Sequence, residues 1–127
     1  MEYANKVAVD TNMLMAINQF GIDFFNEVKG EMGNVEFIVP KQVMRELDGL
    51  AKEGKKNLSS VKIAKELMEK ENVLEVVTSV KGTDDALVEL AGKGAIIATN
   101  DAKLKARIRE IGGKIIFLRQ KKFLEIM

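Results

Sequence analysis

The sequence predicts an α/β fold with a central, mostly parallel five-stranded sheet packed between helices. Three observations carry this. Short apolar runs with β-favouring residues alternate with segments whose apolar residues recur at helical spacing, the pattern of strand–helix–strand crossovers. Ala95-Ile96-Ile97-Ala98 is apolar throughout, as in strands buried on both faces of a parallel sheet. Two such runs end in the same way, as Val9-Asp10-Thr11-Asn12 and Ala98-Thr99-Asn100-Asp101.

The elements follow in order. Residues 6–10 read as the first strand. Met13, Leu14, Ile17 and Phe20 then recur at helical spacing up to Gly21, and Phe24, Phe25 and Val28 continue an apolar face to Gly30. Residues 12–30 are thus one broken helix or two short ones. Phe37-Ile38-Val39 is the second strand, bounded by Pro40, which suits the first position of the next helix. That helix carries Val43, Leu47 and Leu50 on one face, with Glu46 at the border of the face. Gly54 to Asn57 reads as a loop, and Leu58 to Lys70 as a helix with Val61, Ala64, Leu67 and Met68 inward. Residues 73–77 form the third strand. Gly82-Thr83-Asp84-Asp85 opens a helix burying Leu87, Val88 and Ala91, ended by Gly92-Lys93-Gly94. After the strand at 95–98 comes a helix with Leu104, Ile108 and Ile111, broken by Gly112-Gly113. Residues 114–118 are the fifth strand, and a short basic tail with Phe123, Leu124 and Ile126 follows. No internal repeat, linker or low-complexity stretch interrupts this order, so residues 1–127 read as a single domain.

Composition narrows the chemistry. The chain has 127 residues, 46% hydrophobic and 31% charged, which describes a globular protein and not a disordered one. No apolar stretch approaches the roughly 20 residues that span a bilayer, and Met1-Glu2-Tyr3 leads straight into a strand without a signal-peptide pattern. The expectation is a cytoplasmic protein with no membrane association. Without cysteine there are no disulfides or thiolate sites, which suits a reducing compartment. Without histidine there is no imidazole base and no His-based metal site. Acid–base work falls to Asp, Glu, Lys, Tyr or activated water, and a metal site built from this chain has oxygen ligands only, which points to Mg²⁺, Mn²⁺ or Ca²⁺.

The parallel topology then decides where the acids go. Strand ends of a parallel sheet share one edge, where ligands bind in open α/β folds. Asp10 and Asp101 follow two strands, Asp84 (with Asp85 beside it) opens the helix after a third, and Glu46 lies early in the helix after a fourth. Gathered carboxylates repel one another, and a divalent cation resolves the repulsion. Such ions also activate water in phosphodiester cleavage. Each acid also has an ordinary role open to it: Asn100 or Asp101 as a helix cap, Asp84 and Asp85 as first-turn acids behind Thr83, Glu46 as a surface acid. Asp10 is the hardest to assign so, because an acid ending a buried strand needs a partner.

Net charge is +1, from 20 basic and 19 acidic residues, but the cations are clustered. Lys52, Lys55, Lys56, Lys62 and Lys65 form one group, Lys103, Lys105, Arg107 and Arg109 a second, and Arg119, Lys121 and Lys122 a third. Such groups attract phosphates, or serve as solvated helix faces.

Four segments together resemble the PIN domain, the PilT N-terminus-like nuclease family: Val9-Asp10-Thr11-Asn12, Pro40 to Leu47, Thr83 to Ala91, and Ala98-Thr99-Asn100-Asp101. The resemblance implies a three-layer α/β/α sandwich and an Mg²⁺- or Mn²⁺-dependent ribonuclease with acidic residues at Asp10, Glu46, Asp84 and Asp101. Its pattern of buried residues at +3, +4 and +7 favours Asp84 as the ligand and leaves Asp85 as an outer one. Thr11, Asn12, Thr99 and Asn100 look like residues that orient the carboxylates through hydrogen bonds. The Asp-Asp pair and basic C-terminal helix are similar to archaeal relatives of rRNA-processing PIN nucleases. The small size equally resembles VapC toxins, which implies an antitoxin partner and a homodimer.

The leading expectation is therefore an endoribonuclease whose metal is held by Asp10, Asp84 and Asp101 and assisted by Glu46. Lys52, Lys55 and Lys56, and Lys103, Lys105 and Arg107, would hold the RNA backbone, largely without reading sequence. The alternative is an RNA-binding or ribosome-biogenesis factor on the same fold, with rRNA-processing or no catalytic activity. A phosphatase of the haloacid-dehalogenase type needs a second Asp where Asn12 stands, and a receiver domain needs an acceptor Asp where the third strand runs into Val77-Thr78-Ser79.

Overall fold

A computed structural model describes residues 2–127. The elements are β1 (Lys6–Val9), α1 (Thr11–Phe20), α2 (Phe24–Met32), β2 (Glu36–Pro40), α3 (Lys41–Leu50), α4 (Lys55–Lys70), β3 (Leu74–Val76), α5 (Thr83–Gly92), β4 (Ile96–Ala98), α6 (Ala102–Glu110), β5 (Ile115–Arg119) and β6 (Phe123–Ile126). They form one sheet in the order β3-β2-β1-β4-β5-β6. The first five strands are parallel, and β6 returns antiparallel against β5.

The alternation of side chains along the strands divides the core. Val7, Val9, Phe37, Val39, Ile96, Ala98, Ile116 and Leu118 point to the face covered by α1–α4. Ala8, Ile38, Ile97 and Ile115 point to the face covered by α5 and α6. Period-two alternation, applied to strands buried on both sides, yields the three layers. Phe24, Phe25 and Phe37 pack on the first face, with Phe25 edge-on to both others.

Three expectations change. The sheet has six strands, because the tail from Phe123 to Ile126 is β6 and not an irregular end. Its turn has φ of 55° at Gln120 and 58° at Lys121. Positive φ at both central residues is what a type I′ hairpin needs, usually signalled by Asn-Gly or Asp-Gly. Neither pair is present, so the hairpin left no turn signal. Helix α4 starts at Lys55, within the stretch read as a loop, with Gly54 at φ 107° ending the preceding turn. Ile111 lies past the end of α6 and is half exposed.

The topology also decides where the functional edge lies. The chain leaves β1 to build β2 and β3 on one side, then crosses back to place β4 on the other. Ligands bind at such a switch point, outside the carboxyl ends of the strands. Here that point lies between the ends of β1 and β4, where Val9 pairs with Ala98 and the Asp10 N–H donates to the Ala98 carbonyl at 2.9 Å.

Candidate active site

The two strand-end acids are held by their own backbone surroundings. Asp10 caps α1: its Oδ1 accepts from the Thr11 N–H at 2.8 Å. Asp101 caps α6: its Oδ1 accepts from the Leu104 N–H at 2.9 Å. The Thr99 hydroxyl links them. It donates to Asp10 Oδ2 at 2.8 Å and accepts from the Asp101 N–H at 3.0 Å. Thr99 is fully buried and Asp10 is 6% exposed, so this short network is shielded from water, where hydrogen bonds hold geometry most firmly.

The helix-borne acids are held more loosely. Glu46, exposed on α3, accepts from the Thr11 hydroxyl at 2.5 Å. Asp84 stands exposed in the first turn of α5. Its position is set from behind. Gln42 on α3 donates to the Val80 carbonyl at 2.8 Å, and Glu89 accepts from the Ser79 N–H at 3.1 Å, so two adjacent residues of the loop ahead of α5 are tied to α3 and to α5. Those Ser79 bonds hold the Glu89 carboxyl below its usual range.

Asp10, Glu46, Asp84 and Asp101 line one open cleft of about 440 Å³, together with Thr11 and Asn12. Glu53 also lines it, a residue that the sequence reading passed over. It lies in the turn just after α3, close in sequence to Gly49 and Leu50, which line the same cleft. Among the described residues, no basic side chain lines the cleft.

The electrostatics follow. Burial pushes the Asp10 carboxyl above its usual range, against the Thr99 and Thr11 bonds that lower it, and Glu46 and Asp84 add repulsion. Asp84 is raised by partial burial and by Asp101, with Arg107 opposing. Burial leads both shifts, and repulsion among the neighbouring carboxylates adds to it.

The other expected residues divide. Asp85 does not line the cleft; its Oδ1 takes the Arg107 guanidinium at 2.8 Å. Leu87 and Ala91, three and seven residues beyond Asp84, are buried, while Gly92, seven beyond Asp85, is exposed. Thr11 and Thr99 bond carboxylates, but Asn100 does not: its Oδ1 accepts from the Leu118 N–H of β5 at 2.7 Å. Asn12 lines the cleft and is exposed. Lys52, Lys55 and Lys56 sit exposed around the α3–α4 turn, and Lys103 is exposed on α6. Lys105 lies over the Phe117 ring, 4.8 Å from its centroid.

The chemistry of the donors suits a hard divalent cation: they are all carboxylates, two with their charged form disfavoured, and none is neutralised by a lining cation. Among the described residues, no three acids are drawn together into a finished cage. Mg²⁺ does not ask for one, since it keeps several waters and takes one or two carboxylates.

The chain is similar to known proteins in sequence and in fold. Residues 7–121 match the family model described as a PIN like domain. Ribonuclease VapC9 of Archaeoglobus fulgidus is 33% identical over 131 aligned residues, covering 97% of this chain and 93% of that protein. Ribonuclease VapC4 of Methanocaldococcus jannaschii is 30% identical, covering 95% of each. Among solved structures, the PIN domain endonuclease Utp24 superposes with a TM-score of 0.77 at 27% identity, covering 95% of this chain and 90% of that one.

Proposed function

The chain belongs to the PIN-like domain family, and on that premise we propose that it is an endoribonuclease that hydrolyses RNA phosphodiester bonds with Mg²⁺ or Mn²⁺. The observation that carries the reading is the convergence of Asp10, Glu46, Asp84 and Asp101, from four separate elements, on one cleft at the switch point of the sheet. The ribonuclease names of two relatives that this chain matches nearly end to end support it.

Asp10, Asp84 and Asp101 would hold the ion, Glu46 would assist or hold a second one, and Asp85 would act from outside the cleft. The chemistry such an ion supplies when bound is a water nucleophile at neutral pH and neutralisation of charge on the phosphoryl group. Thr99 fixes Asp10 relative to Asp101, and Thr11 orients Glu46. Lys52, Lys55 and Lys56, with Lys103, Lys105 and Arg107, would grip RNA by its backbone without reading sequence.

The near-equal length of the VapC relatives favours the toxin of a toxin–antitoxin pair, with an antitoxin partner and a homodimer. The likeness to Utp24 favours the second reading, an RNA-processing or ribosome-biogenesis factor. Incubation of the purified chain with single-stranded and structured RNAs, with Mn²⁺ or with EDTA, tests the activity. Cleavage that needs the ion is expected; intact RNA under every condition would favour a binding protein. Capture of a small partner encoded beside this chain separates the two biological roles.

A further inference from the structure

Beside the acidic cleft lies a second cavity of different character, about 250 Å³ in volume. The two share Asn12 and Leu50 along their border. Among the described residues, five acidic side chains line the first and no charged one lines the second. Its polar lining is four carboxamides, Asn12, Gln19, Asn57 and Asn100, and its apolar lining includes Phe20.

Two of these amides are oriented from outside the cavity. The Asn100 Oδ1 is taken by the Leu118 N–H at 2.7 Å, which leaves its Nδ2 as a donor. The Asn57 Nδ2 donates to the Glu53 carbonyl at 3.3 Å, which leaves its Oδ1 as an acceptor. The cavity thus offers an oriented donor and an oriented acceptor, and Asn12 and Gln19 add one of each. A donor and an acceptor in one cavity match the polar edge of a nucleobase, which carboxamides read by paired hydrogen bonds.

Phe20 has no place in the core. It continues the apolar repeat of α1, yet it is 42% exposed. An exposed ring beside amides is what an unstacked base packs against. Lys121 Nζ stands 5.4 Å from that ring's centroid. It is carried there by the β5–β6 turn, where Gln120 and Lys121 both adopt positive φ, uncommon for residues other than glycine. Lys121 does not line the cavity, but its charge beside Phe20 suits the phosphate that accompanies a base.

We propose that this cavity is a nucleobase pocket, which takes one unstacked base of a single-stranded RNA whose phosphodiester lies in the acidic cleft, so that the chain cuts beside a preferred base. The proposal rests on the endoribonuclease reading. The cavity is smaller than ligand pockets of roughly 300–1,000 Å³, which suits one base and not two. A paired base has its recognition edge occupied, so duplex RNA is excluded.

Two arms separate the pocket from the nuclease reading. The first measures fluorescence anisotropy of labelled single-stranded oligo-A, oligo-C and oligo-U with Asp10→Asn protein, which leaves the RNA intact. Roughly tenfold preference for one base is expected, falling to within about twofold in Gln19→Ala/Asn57→Ala and in Phe20→Ala. All three positions are at least partly solvent-exposed, so these variants keep their fold. The second arm maps cut sites with Mn²⁺ in mixed-sequence RNA, where the same substitutions should flatten the base preference. Absence of preference in the parent protein, or an equal preference in all variants, overturns the pocket. Mn²⁺-dependent cutting indifferent to base and to these substitutions also overturns it and leaves the nuclease intact. Flattened binding preference in a chain that cuts no RNA supports the pocket and removes the nuclease.

Discussion

The cleft has two halves, built differently. On the strand side, Asp10 and Asp101 each end a strand, cap a helix and share the buried Thr99 hydroxyl. On the helix side, Glu46 and Asp84 are exposed, and only the Thr11 hydroxyl reaches Glu46. The strand side is fixed by backbone groups that the fold itself positions. The helix side can move by side-chain rotation alone. A site of this design would keep one pair of acids in place and let the other pair close on an ion, which would reconcile four acids in one cleft with the absence, among the described residues, of a finished cage.

The sharpest way to break this comparison is to remove charge from each half in turn. Asp10→Asn keeps the shape and loses the charge of the best-held of the proposed ligands, and Mn²⁺-dependent RNA cleavage should fall by roughly 10²-fold or more. Thr99→Val should follow, weakening metal affinity by about 10–100-fold, because one hydroxyl orients both strand-side acids. Its effect on folding is measurable separately by denaturant titration: the Asp101 N–H loses its partner, at a cost of about 1–3 kcal/mol. Glu46→Gln should cost less activity than Asp10→Asn if the helix side assists and the strand side anchors. The smallest effect belongs to Asp85→Asn. Its exposed pair with Arg107 is worth about 0–1 kcal/mol, and cleavage should stay near wild type while Asp84→Asn loses it. Equal losses at 84 and 85 would return Asp85 to the ligand set.

The halves also differ in what pH does to them without metal. Asp10 is raised by burial first, with its two hydrogen bonds opposing. A carboxyl raised in the folded state contributes stability that is complete below its ordinary value of 3.8 and is lost as pH rises through the raised one. In EDTA, wild type and Asp10→Asn should therefore melt together near about pH 3.5, and the variant should melt higher as pH climbs past the usual carboxylate range. A wild type that gains on the variant with rising pH would show Asp10 to be stabilised as a charge, and the need for a counter-ion would fall.

How much of this was legible follows the same division. The strand side could be read from sequence, because a buried strand that stops on an acid is a local pattern and parallel strands share an edge. Glu46 and Asp84 were reachable through helical spacing. Glu53 was not singled out, since it lies in the turn after α3 and looks like part of a charged run with Lys52, Lys55 and Lys56. Strand β6 was missed because its turn reaches positive φ without glycine or asparagine. Asn100 was expected to orient an acid, but a short strand-end loop lets it reach the Leu118 N–H instead. That partner lies 18 residues away, on a contact that local pattern does not encode.

The most direct test titrates Mn²⁺ calorimetrically into wild type and Asp10→Asn, and assays both on the same single-stranded RNA. The account predicts that wild type takes up the ion and cuts, while the variant, folded and still binding RNA, does neither. Ion uptake and ion-dependent cleavage undiminished in Asp10→Asn would contradict it.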